Sequence, residues 1–337
     1  MKKIMYLEII RILACFLVLV NHTNIVILNY QNFSNMLFYS LGFSICKVGV
    51  ALFFMITGAL LLNKSFDYQK SIKAIWRVFV PLLFLSFLLY LKDNGITSFN
   101  FLSFFSIFLS KPYITAYWYI YSLIGLYLAM PFIQKMVKNF NGKDTVIFIT
   151  LFLFVPSLIN LIHDYFNLNI YNNLFSSFFP SIIAILICGD HISKLPLKKK
   201  YFISSITILF ISFSSMFCSI FLPYILHNKI IYTLDYWNSF PVLLMAISLF
   251  YIIKYIFETK EFSTITEKIL SLAGSTTFGI YLIHALINFK IYNFHFLQSL
   301  FKFNAIIGTI VLDIIVFIIC FVIIYLLKKL PFIKKFI

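Results

Sequence analysis

The sequence predicts an all-α fold, a polytopic membrane helical bundle of about ten transmembrane helices with both termini cytoplasmic. Three observations predict it. Of the 337 residues, 62% are hydrophobic and only 11% charged, against about 25% charged in soluble domains, and the mean hydropathy is +0.97. The apolar residues gather into ten runs at or near the length that crosses a hydrocarbon layer of about 30 Å. Basic residues then alternate with the runs, as cytoplasmic loops favour Lys and Arg. With the amino terminus inside, twenty of the 27 Lys and Arg fall on inner flanks and six on outer ones, and Arg11 is left within a run.

In chain order the first run, 4–25, follows Lys2 and Lys3. The second, 43–62, carries Gly49 and Gly58, small residues that let membrane helices approach closely. The third, 78–91, begins after Lys73 and Arg77 and contains Pro81, and a further run at 99–109 is too short to cross and reads as interfacial or re-entrant. The fourth, 114–133, opens with Trp118 among tyrosines, an interfacial belt. The fifth, 145–162, follows Lys143, and the sixth, 174–189, ends before Lys194. The seventh, 202–226, follows Lys198 to Lys200, and the eighth, 237–256, ends at Lys254. The ninth, 269–289, follows Lys268, and the tenth, 305–327, stops at Lys328 and Lys329. No loop exceeds roughly 25 residues. A single integral membrane domain over 1–337 is therefore expected, with its chemistry in or at the edge of the membrane.

The net charge of +16 sits in short inner loops facing an anionic leaflet, and no nucleic-acid motif accompanies it, so nucleic acid is not an expected partner. Cys15, Cys46, Cys188, Cys218 and Cys320 show no CxxC spacing, so neither a disulfide framework nor a metal site is expected. A lipoprotein signal ending at Cys15 is disfavoured because Glu8 and Arg11 interrupt its apolar core.

The first run reads "YLEIIRILACFLVLVNH" and holds an acid, a base and a histidine. Arg11 and His22 are eleven residues apart, which returns to within about 20° of one helical direction about 16 Å further along. Glu8, Arg11, Cys15, Val18 and His22 thus form one stripe. Taken singly, Arg11 snorkels to phosphates and His22 begins an outer loop. Taken together, an acid three residues before Arg11 and a histidine on the same stripe favour a polar pathway inside the bundle, since ionisable groups within spans are costly.

Four segments carry a resemblance. Arg11 and His22 stand in the first span with ten residues between them; residues 47–62 read "KVGVALFFMITGALLL"; residues 116–133 read "AYWYIYSLIGLYLAMPFI"; and residues 275–287 read "STTFGIYLIHALI". In this order they resemble the acyltransferase-3 family of integral membrane acyltransferases, with Thr57 where the family usually has Ser. The third run departs from the family's Arg-x-x-Arg pair: Ala74 stands three before Arg77, while Lys73, four before it, shares nearly the same helix face.

The resemblance implies transfer of an acyl group, most often acetyl, from cytoplasmic acyl-CoA to a hydroxyl of a cell-envelope glycan or lipid-linked sugar, in the cell membrane. Acyl-CoA is then a donor substrate, with no permanently bound cofactor, and membrane lipids and the acceptor are the other partners. His22, Arg11 and Glu8 become catalytic candidates, with Arg77 and Lys73 holding donor phosphates. His284, Tyr281 and Trp118 are candidate supporting or acceptor-side residues. A transporter or flippase of lipid-linked sugars also needs polar residues in a bundle, but no inverted repeat is visible. A glycan polymerase usually presents a longer outer loop than those expected at 23–42 and 92–113.

Overall fold

The computed structural model describes residues 4–64, 67–95, 97–166, 178–227 and 237–336. Among these the chain is helical without strands, and nine of the described helices are long and apolar enough to cross a membrane. This is a multi-pass membrane protein.

Helix α1 (Met5–Thr23) continues as a 3-10 turn over Asn24–Asn29. Helices α2 (Phe33–Cys46) and α3 (Val48–Leu61) follow, separated only at Lys47. Here the structure corrects the expected loop at 23–42 and the run at 43–62. The span covers Phe33–Leu61, and Lys47 lies at its internal break rather than on an outer flank. Asn32 caps α2 by accepting the Asn35 amide at 2.8 Å, and Ser40 and Ser44 return their hydroxyls to carbonyls four residues back. Polar residues that lower hydropathy are thereby satisfied within the helix.

Helix α4 (Tyr68–Asn94) starts ten residues before the expected run. Asp67 caps it through the Lys70 amide at 2.8 Å, and that bond holds the carboxyl below its ordinary pKa. The extra turns carry Lys73 and Arg77. Pro81 has no N–H to give the Arg77 carbonyl four residues back. The short apolar run becomes α5 (Phe101–Ser110), which packs on α4. Helix α6 (Trp118–Lys138) is followed by α7 (Gly142–Ile149), a π segment at Thr150–Phe154 and α8 (Val155–Phe166).

Helix α9 (Phe178–Lys194) has 17 residues, and the first part of the run expected at 174–189 lies outside the described residues. Then come α10 (Lys199–His227), α11 (Phe240–Phe257), α12 (Thr264–Tyr292), the short α13 (His295–Phe303) and α14 (Ala305–Leu327).

Helix α1 is the centre of the bundle, packed by α2, α3, α11, α12 and α14. Small residues bring the backbones together. A methyl group on Gly58 would strike the Leu186 carbonyl of α9, and one on Gly189 of α9 would strike the Met55 carbonyl of α3, so the two helices meet glycine to backbone in both directions. Gly49 does the same against Ala14 and Val18 of α1. The start of α1 and the end of α14 lie at one face, because Gly274 of α12 abuts the Glu8 carboxylate and neighbouring Ser275 receives the Lys328 ammonium.

Candidate functional site

Between α1, α3, α4, α6 and α12 lies a cavity of about 560 Å³. Arg11, Lys73 and Arg77 supply its positive charge, and no acidic residue lines it among the described residues. Each cation arrives by helical spacing. Lys73 and Arg77 are one turn apart on α4 and both reach the cavity, while Arg11 enters from α1. Behind Arg11 the Glu8 carboxylate accepts from its guanidinium at 2.7 Å. Glu8 is buried, as are Cys15 and Val18 of the same stripe. The stripe faces inward, and the Glu8 bond fixes where Arg11 points.

One end of the cavity is aromatic. Tyr281 of α12 stands with ring centroids 5.2 Å from Tyr119 of α6 and 6.4 Å from Phe53 of α3. Its hydroxyl donates to the Ala116 carbonyl, and the Tyr117 hydroxyl donates to the Leu282 carbonyl at 3.0 Å, so α12 and the 3-10 turn Thr115–Tyr117 before α6 are tied by a reciprocal pair. Beyond Tyr281 the ring of His284 follows at 5.5 Å, and the ring of His22 lies 5.1 Å from that of His284. The Nδ1 of His284 sits 2.7 Å from the Tyr281 carbonyl. A carbonyl only accepts, so Nδ1 carries the proton and Nε2 keeps its lone pair. That Nε2 is buried and has no hydrogen-bond partner among the described residues.

The surroundings of His22 are packed and polar. Asn288 donates to the His22 carbonyl at 3.2 Å. The Thr23 hydroxyl donates to the Asp313 carboxylate of α14, and the Asn24 amide donates to the Tyr39 carbonyl at 3.1 Å. Thr23 and Asn24 are buried, so the residues after His22 continue the bundle rather than opening a solvated loop. Lys47 lies within electrostatic reach of His22, with its ammonium 4.2 Å from the centre of the Phe43 ring.

The structure therefore brings the sequence-selected residues into two adjoining groups. Arg11, Lys73, Arg77 and Tyr281 line the cavity, with Glu8 behind Arg11, and His22 and His284 form a pair beyond Tyr281. Trp118 stands apart from both, packed on Trp237 at 6.0 Å and Tyr119 at 6.3 Å. Sequence reasoning missed Tyr119, which lines the cavity one position after Trp118, and Asp313, which braces the segment after His22. Asp313 is the only acid in the run 305–327, the same signal that singled out Glu8.

A family model described as an acyltransferase domain matches residues 4–329. No curated protein and no solved structure matches the chain.

Proposed function

Since the chain belongs to the acyltransferase-3 family and is a membrane acyltransferase, we propose that it moves an acetyl group from cytoplasmic acetyl-CoA to a hydroxyl of a cell-envelope glycan or lipid-linked sugar at the cell membrane. One observation supports this reading above the rest: a cavity with three cations and, among the described residues, no lining acid reaches Tyr281, next to the His284–His22 pair. A donor with phosphates at one end and a thioester at the other matches that polarity.

Arg11, Lys73 and Arg77 bind the donor's phosphates, and guanidinium groups suit them through their planar array of N–H donors. Glu8 orients Arg11 without neutralising the cavity's other two cations. The acceptor hydroxyl is a weak nucleophile near neutral pH and needs a base at hand. His22 takes the hydroxyl proton as the oxygen forms its bond to the thioester carbonyl carbon. The C–S bond then breaks, the CoA thiolate leaves and takes up a proton, and the ester remains on the acceptor. His284, held by its Nδ1–H bond, presents Nε2 to the same space and shares the proton. Transfer is direct, without an acyl-enzyme.

The test is label transfer from acetyl-CoA in membranes containing the wild type, Arg11→Ala or His22→Ala, made at equal levels. Each variant should lose at least about a hundredfold in rate, the lower range for removing an acid–base group. Wild-type rates in both would end the proposal, and so would movement of unmodified sugar without label. For the donor end, Arg77→Ala should raise the KM for acetyl-CoA about tenfold while leaving the affinity for acceptor unchanged.

A further inference from the structure

A second basic hollow adjoins the cavity. It measures about 480 Å³ and is lined by Arg77, Leu272, Ser275, Tyr325, Lys328, Lys329 and Lys334. Arg77 and Ser275 line both spaces, so the two hollows adjoin. Four of its lining residues are cations, and none among the described residues is an acid. Its floor is built rather than incidental, because Lys328 donates to the Ser275 carbonyl at 2.7 Å and stands 3.0 Å from the Ser275 hydroxyl, locking the end of α14 to α12. Lys329 lies over the Tyr325 ring at 4.9 Å from its centre, which holds a second ammonium at the rim.

Four like charges gathered in one hollow repel one another unless an anion joins them. The chamber also lies at the face shared by the two chain ends, away from the histidine pair. A ligand whose reactive end reaches Tyr281 leaves its remote end near Arg77. We propose that this chamber is a separate phosphate-binding site, in which Arg77, Lys329 and Lys334 hold a phosphate carried on the nucleotide end of the donor. The inference rests on the acyl-CoA reading for the identity of its occupant. A phospholipid headgroup offers the same phosphate chemistry, and the experiment separates the two sources.

The probes are adenosine 3′,5′-bisphosphate and adenosine 5′-monophosphate, titrated against the purified full chain in phosphatidylcholine nanodiscs, as wild type and as the double variant Lys329→Gln, Lys334→Gln. Lys329 and Lys334 are exposed, so the variant should retain the wild-type unfolding temperature. The wild type should bind the bisphosphate about tenfold more tightly than the monophosphate, and the variant should bind the two equally. If the wild type shows no such preference but the variant purifies with less bound phospholipid from native membranes, the chamber still binds phosphate and its source is lipid. Unchanged nucleotide preference together with unchanged bound lipid would overturn the site. Binding is read without turnover, so a failure of acetyl transfer with the preference intact would count against the proposed reaction alone.

Discussion

At the scale of single residues, Glu8 and Arg11 form an ion pair one helical turn apart at 2.7 Å, with the acid buried and the base reaching the cavity. Glu8→Gln retains the shape but weakens a charge-assisted bond worth about 1.5–3 kcal/mol. It should lower kcat/KM for acetyl-CoA by about tenfold, measured by initial rates over a donor series. His284→Ala should reduce kcat more than KM, since the role proposed for its Nε2 is to share the proton rather than to hold phosphate. Equal rates in His284→Ala and wild type would assign it to packing. The Glu8, Arg11 and His22 stripe was legible because helical periodicity is local and depends only on spacing. The His22–His284 contact was not derivable that way, because no periodicity links α1 to α12. Asp313 was passed over although the rule that ionisable groups within spans are costly applied to it equally.

At the scale of helices, the long apolar spans and their order were legible, whereas their boundaries and the short α13 were not. Hydropathy registers side chains but not the bonds that satisfy them. The polar residues of α2 and the basic first turns of α4 therefore read as loop although both are helical. Close packing was better foreseen, since Gly49 and Gly58 were singled out for small size, yet their partners on α1 and α9 follow only from the fold. Gly58→Ala places a methyl group against the Leu186 backbone, which has no flexible end to move aside. The expected cost is about 1–3 kcal/mol, read as a lowered unfolding temperature of the purified protein. An unchanged temperature would show that α3 and α9 separate easily.

At the scale of the whole molecule, the two chain ends share one face, and the distribution of Lys and Arg predicts a cytoplasmic orientation for it. Reporter fusions at each terminus should both behave as cytoplasmic, and an exported signal from either one would invert the orientation. Helix α1 runs through the middle of this arrangement and carries on one rigid element both Arg11, proposed to hold phosphate, and His22, proposed to accept the proton. It consequently acts as a ruler. One alanine inserted after Leu17 turns His22 by about 100° relative to Arg11 and should abolish transfer, whereas seven inserted residues restore the direction to within about 20° but add about 10 Å. The second insertion keeps the orientation and fails on length alone. Donors carrying a correspondingly extended arm between phosphate and thioester should recover part of the lost rate in it and none in the first.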